Sequence, residues 1–181
     1  MPVRAEQGRY VVKAVTYLHV HAISDRANQG VLCLGNLRFP CLLGKNGRAT
    51  RKCEGDGKSP RGAWLITEIY FRPDRLHGLK SAKRLKPNDG WCDAPLSKDY
   101  NRRVKLPFKA SHENLWRDDE AYDILGITNH NQRPRIRGAG SAIFLHLWRD
   151  GASFTEGCIA LRRRDMLVLL SKLKGKAYLV I

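Results

Sequence analysis

A chain of 181 residues, 43% apolar and 28% charged, is long enough to bury a core without disulfide staples and too apolar to stay disordered. It has no run of about 18 apolar residues to span a bilayer, and residues 1–10 carry no hydrophobic core of the signal-peptide kind. Its formal charge of +16, from 33 basic and 17 acidic side chains, attracts nucleic acid, anionic lipid or carboxylate-bearing polymer, but no helix-turn-helix pattern, zinc-finger spacing or aromatic-rich RNA signature selects nucleic acid.

Residues 10–23 are rich in Val, Tyr and His and alternate loosely, which predicts a strand with one buried face. His19 and His21 share a face of it without an acidic or cysteine partner to complete a metal set, and read as surface histidines. Residues 31–34 and 37–43 around Gly35-Asn36 predict a hairpin with a two-residue primed turn. Cys33 and Cys41 flank that turn, either facing each other or, the preferred reading, as core thiols. With Cys53, Cys92 and Cys158 they make an odd count of five, with no C-x-x-C unit for zinc or thioredoxin-like chemistry.

Residues 44–62 hold five glycines and six basic side chains, the composition of an exposed loop. A phosphate-binding reading fails there, because Lys58-Ser59 runs into Pro60 where a helix is required. Residues 63–71 read as a strand. From 72 to 120 periodicity is weak, yet Trp91, Tyr100, Phe108 and Trp116 predict an ordered insertion that packs on the sheet. It either walls an active-site cleft or decorates the fold without touching substrate. His77 and His112 lie in it without a recognisable partner.

Residues 122–128 predict another strand, ending at Asn129-His130-Asn131, where His130 is a second candidate imidazole. A basic loop at 133–140 follows, and Gly138 and Gly140 turn the chain into a strand at 142–147. Met166, Leu169, Leu170 and Leu173 repeat at helical spacing behind Asp165, Gly175 is expected as a left-handed cap, and residues 177–181 supply a last strand. The sum is one domain over residues 1–181, mainly β, a sandwich of two mixed sheets with one clear helix.

The chemistry concentrates between Ile143 and Leu161, where an apolar strand ending in His146 leads through a polar loop to Thr155-Glu156-Gly157-Cys158. A free thiol with a pKa of about 8.5 is only a few per cent ionised at neutral pH, so a nucleophilic cysteine needs a base or cation nearby. His146 is that candidate. Gly157 permits backbone angles that let the thiol project and neighbouring N–H groups face an oxyanion. On residue types alone, a small buried cysteine and a structural histidine compete with this Cys-His reading.

Residues 141–161 resemble the catalytic motif of the YkuD family of L,D-transpeptidases, in which a strand histidine precedes a Ser/Thr-x-Gly-Cys turn. Ser59-Pro60-Arg61-Gly62 looks like the family's early Thr-Pro-x-Gly element with serine for threonine, so the resemblance runs from about residue 44 to the C-terminus. It implies a mostly β domain that takes a peptidoglycan stem peptide onto Cys158, releases the terminal D-residue and passes the acyl group to an amine. His146 would be the base, with Thr155 and Gly157 shaping the turn and its oxyanion contacts. It further implies no cofactor or metal, acylation of the cysteine by carbapenems, a monomer with stem peptides as partners, and a place in the periplasm or cell wall. The visible N-terminus does not supply a leader for that location.

Three positions depart from the family pattern. His146 stands only twelve residues before Cys158, Glu156 occupies a position where many relatives carry a second histidine, and Ala160 replaces the arginine or asparagine that contacts substrate carboxylate. Arg162 or Arg163 is expected to take over that contact, and the basic loops 44–62 and 133–140 to line the approach to the thiol. The rival readings are the same cysteine transferring to water, as a carboxypeptidase or amidase, and a non-catalytic basic domain that binds polyanions.

Overall fold

The computed structural model describes residues 14–181. Its strands in chain order are β1 (Val15–His21), β2 (Gln29–Leu34), β3 (Leu37–Leu42), β4 (Arg48–Ala49), β5 (Ser59–Pro60), β6 (Ala63–Phe71), β7 (Lys83–Arg84), β8 (Asp89–Cys92), β9 (Arg102–Lys105), β10 (His112–Asn114), β11 (Ile124–Thr128), β12 (Phe144–Leu147) and β13 (Ile159–Leu161). One helix, α1 (Arg163–Lys172), and a last strand, β14 (Lys176–Val180), complete the chain. Of the strand expected at residues 10–23, the part before residue 14 lies outside the described residues, and the rest is β1. The hairpin forms as expected, β2 and β3 closing at Leu34↔Leu37.

Where the sequence predicts a sandwich of two mixed sheets, the strands form one nine-stranded sheet, a three-stranded sheet and the short β4–β5 pair. Pairing runs β11-β12-β13-β3-β2-β1-β14-β6, and β6 pairs back onto β11, so eight strands form a ring, with β7 attached to β6 outside it. Strand alternation then gives two cores on the two sides of one wall. Leu18, Leu32, Phe39, Ile124, Leu145 and Leu161 point into the ring, where Met166 and Leu169 of α1 join them. Leu125, Ile127 and Phe144, the alternate residues of β11 and β12, point outward into a second cluster with Trp91, Leu115 and Tyr122. The outer cluster needs a cover, and residues 72–120 provide it: β10, β8 and β9 form a three-stranded antiparallel sheet whose Trp91 packs edge-on against Phe144 at 5.2 Å.

Charge is handled by burying carboxylates between cations. Asp123, 1% exposed, lies between Arg75 and Arg163, and Asp89, fully buried, between Arg103 and Lys105. Cys33 and Cys41 are not cross-strand partners: Cys33 faces Arg38 and Cys41 faces Gly30. Both are buried free thiols, as the core reading expects, and burial pushes Cys41 up to about 12. His19 and His21 stack at 6.2 Å on the exposed face of β1, and no metal-binding cluster occurs among the described residues. No described helix is long and apolar enough to cross a membrane.

Gly175 differs from its expected role. The helix ends at Lys172 with Leu173 already extended, so Gly175 is not the capping residue. Its φ of +66° serves the parallel β1–β14 junction, where a Cβ would lie 1.9 Å from the Ala14 carbonyl oxygen. A Gly175→Ala substitution combines left-handed strain with a backbone clash. It should cost about 2 kcal/mol or more and lower the melting temperature by roughly 4–8 °C, as read by thermal denaturation; an unchanged melting temperature would show that the junction yields freely.

Candidate active site

The pairing of β12 with β13 is what brings histidine and cysteine together. The two strands run parallel with Leu145 opposite Ile159 and His146 opposite Ala160. Continued one residue back, that register sets Cys158 beside Phe144, and the Phe144 N–H donates to Cys158 Sγ at 3.3 Å. Positions 144 and 146 share a strand face, so His146 and Cys158 are diagonal neighbours on the outer side of the ring, about 8 Å apart between Cα atoms from strand spacing and rise. The intervening loop only has to return the chain to the start of β13, which is why its shortness is no obstacle.

Thr155 and Gly157 build the turn. Thr155 is tied to the end of β3, its N–H donating to the Leu43 carbonyl and its carbonyl accepting from the Lys45 N–H, both at 2.8 Å. Its hydroxyl donates to the Cys158 carbonyl at 2.7 Å and accepts the Gly157 N–H at 3.1 Å. Gly157 has φ +138° and a Cβ there would meet the Lys58 carbonyl oxygen at 2.8 Å, so only glycine fits. Glu156 pairs outward with Lys45 at 2.8 Å, in keeping with a minor role in shaping the turn.

Both side chains line a cleft of about 520 Å³. His146 Nδ1 lies 2.8 Å from the Leu147 carbonyl; a carbonyl can only accept, so Nδ1 carries the proton and Nε2 is left as the acceptor. The ring stands edge-on to Tyr122 at 5.3 Å. Burial, with Arg117 adding to it, lowers the imidazole to about 4 despite the Leu147 bond. Burial, with Glu113 adding to it, raises the Cys158 thiol to about 12, against the Phe144 N–H and Lys52. At neutral pH the resting pair is therefore thiol and neutral imidazole, not thiolate and imidazolium.

The thiol's other partner lies outside the motif. Cys158 Sγ donates to the Ala142 carbonyl at 3.1 Å, and Ala142 is held at φ +51°, a conformation that costs a non-glycine residue about 1 kcal/mol or more. Asn101, 2% exposed, supplies the constraint. Its Oδ1 accepts the Ala142 N–H at 3.2 Å and the Trp91 indole N–H at 3.0 Å, while Nδ2 donates to the His130 and Asn131 carbonyls at 2.9 and 2.8 Å. All four of its hydrogen-bonding positions are used. Residues 72–120 thus orient the thiol through Asn101 and wall the cleft with Asp93, His112, Glu113 and Arg117.

Other expected site residues sit elsewhere. Arg162 stacks on Trp148 at 4.8 Å and Arg163 pairs with Asp123; both line a separate cavity with Glu120 and Asp150 and not the cleft that holds Cys158. The cations lining the Cys158 cleft are Lys52, Arg117 and Arg149. Lys52 comes from the loop at 44–62; the loop at 133–140 gives the cleft no lining residue and supports the first loop instead, the Gly138 carbonyl accepting the Glu54 N–H at 2.7 Å. His130 is buried against the edge of Trp64 at 4.7 Å and does not reach the cleft; burial and Lys52 lower it to about 4.

Two outcomes follow for thiol chemistry. Since the thiolate fraction rises about tenfold per pH unit below the thiol pKa, alkylation of Cys158 by iodoacetamide should climb steadily from pH 7 to 10; a plateau near pH 7 would show a preformed thiolate. In Asn101→Ala the Ala142 carbonyl is released from the S–H; an acceptor for S–H favours the protonated thiol, so the thiol pKa should fall by a small part of its rise, most of which comes from burial. Ala142→Gly, which removes the strain that Asn101 holds, should restore part of the shift in the double variant. A general loss of folding would not be rescued this way.

No curated protein matches the chain. A family model described as the L,D-transpeptidase catalytic domain, YkuD, matches residues 23–181. That match spans nearly the whole chain and takes in the parallel strand pair, the Thr155–Cys158 turn and the cleft between them, and the chain therefore belongs to the YkuD family of L,D-transpeptidase catalytic domains.

Proposed function

We propose that this domain forms peptidoglycan cross-links through an acyl-enzyme on Cys158. The observation that supports it most is the placement of the thiol and an unprotonated imidazole Nε2 on one face of a parallel strand pair in one cleft. Because the resting pair is neutral, proton transfer accompanies attack. His146 Nε2 takes the thiol proton as sulfur bonds to the carbonyl carbon at the L-centre of the stem's diamino acid. The resulting oxyanion faces the Cys158 N–H, the amide of the turn left free by the Thr155 bond to the Gly157 N–H. Collapse breaks the C–N bond, and the departing D-residue takes the proton from His146. An amine then attacks the thioester and gives a proton to Nε2, the C–S bond breaks, and the sulfur regains its proton.

Substrate carboxylate is assigned to Arg149. It lines the cleft, its side chain is half exposed, and its only ion-pair contact among the described residues, with Asp119, is loose at 3.8 Å. Arg117, by contrast, is held by Asp119 in a two-point contact. A charge-assisted hydrogen bond is worth about 1.5–3 kcal/mol, so Arg149→Ala should raise KM roughly tenfold or more while Arg162→Ala does not.

Digestion of purified peptidoglycan, with muropeptides identified by mass, tests the reaction. Cross-linked products that depend on an amine acceptor and disappear in Cys158→Ala are expected. Free-acid products with and without the amine would make the enzyme a carboxypeptidase, and full function of Cys158→Ala would leave a polyanion-binding domain. A carbapenem adduct should map to Cys158 and form much more slowly in His146→Ala; labelling of Cys33, Cys41, Cys53 or Cys92 would overturn the assignment.

A further inference from the structure

A lysine buried beside the cysteine's turn calls for a reason that an exposed one does not. Lys52 belongs to the loop between β4 and β5, yet its side chain is only 5% exposed. Its stem runs past two glycines from distant parts of the chain: a Cβ at Gly140 would lie 2.6 Å from Lys52 Cγ, and one at Gly157 3.5 Å from Lys52 Cε. Gly140, at φ +88°, could not carry a side chain without displacing the lysine. Each glycine also adjoins a segment that holds the thiol. Gly140 leads into Ala142, whose carbonyl accepts the S–H, and Gly157 precedes Cys158.

The ammonium is tied down at its end. Nζ donates to the Cys53 carbonyl at 3.1 Å and to Asp56, and Asp56 is itself held by the Cys53 and Lys58 N–H groups, both at 2.9 Å. Two acceptors for three N–H groups leave one N–H without a partner among the described residues. Lys52 lines the cleft and Asp56 does not, so the cleft meets the cation of the pair. The other titratable groups around the sulfur are Glu113 of β10, Tyr122 ahead of β11 and His146 of β12, with Arg117 acting on Glu113 and His146. Burial and Glu113 oppose a negative sulfur, and Lys52 is the cation that favours one. A fixed charge in a site that excludes water acts more strongly than the same charge in solvent.

We propose that Lys52 is a third functional member of the site, a fixed ammonium beside the Gly157–Cys158 turn that stabilises negative charge developing there. Its action on the thiol stands on these contacts alone; that the same charge steadies the tetrahedral oxyanion rests on the transpeptidase reading.

Thiol reactivity tests this without turnover. Alkylation of Cys158 by iodoacetamide is followed from pH 7 to 10 by mass spectrometry of the Cys158 peptide. Lys52→Met keeps an unbranched stem between the glycines and removes the charge. Its profile should move to higher pH by about one unit, a roughly tenfold slower reaction at pH 8. Asp56→Asn leaves Lys52 without its counter-charge and should move the profile to lower pH. The Lys52→Met/Asp56→Asn protein, with both charges gone, should still react more slowly than wild type, whereas Lys172→Met, at an exposed cation ending α1, should react at the wild-type rate. Unfolding would instead speed labelling of Cys158 together with buried Cys41 and Cys92; if Lys52→Met behaves so, Asp56→Asn decides. A wild-type profile in Lys52→Met or in the double variant, or an Asp56→Asn profile that does not move to lower pH, would overturn the role. The expected shifts in a protein that cross-links no muropeptides would remove the transpeptidase reading and leave the lysine's action on the thiol standing.

Discussion

The parallel register of β12 and β13 is the constraint on which the site depends. Two antiparallel strands joined by a tight turn would put a histidine and a cysteine at mirrored distances from the turn. Parallel neighbours instead place residues at a fixed offset side by side, here His146 opposite Ala160, and the connecting loop is free of geometric duty. Everything else secures that offset. β11 and β3 flank the pair in the ring, Leu145, Leu147, Ile159 and Leu161 anchor its inner side in the main core, and Thr155 ties the cysteine's turn to the end of β3.

A ring with an apolar outer face on β11 and β12 cannot stand exposed, and residues 72–120 join two roles by covering it. The same three-stranded sheet that buries Phe144 and Leu125 brings Asn101 to the Ala142 amide and Glu113 to the cleft. Covering the outer core and positioning the thiol are thus one packing event. A segment without clear periodicity thereby supplies a fully satisfied buried amide: Asn101 connects Trp91, Ala142 and the 130–131 backbone.

The legibility of these features in the sequence follows the range of the forces behind them. The strand at Ala63–Phe71, the hairpin at Gly35-Asn36 and the helix carrying Asp165, Met166 and Leu169 are local patterns, and each is found close to where the sequence places it. Closure of the ring through β6 and β11 was not legible, because alternation within a strand does not name a partner 53 to 62 residues away. Arg162 and Arg163 follow the cysteine closely in sequence, but β13 carries them past the cleft toward Trp148 and Asp123. Asn101 had one faint signal, an asparagine being among the few residues that tolerate its φ of +54°, while its role depends on contacts 29 to 41 residues away.

The raised thiol has a consequence for survival in an oxidising surrounding. Peroxide and disulfide reagents react with thiolates, so a cysteine that stays protonated and buried at rest is chemically latent. Cys158 is 9% exposed with both sulfur contacts made by the backbone, whereas Cys53 stands in solvent on the neighbouring loop. Oxidative damage is directed first to Cys53, outside the motif, and Cys158 is spared for as long as its thiol stays buried and protonated.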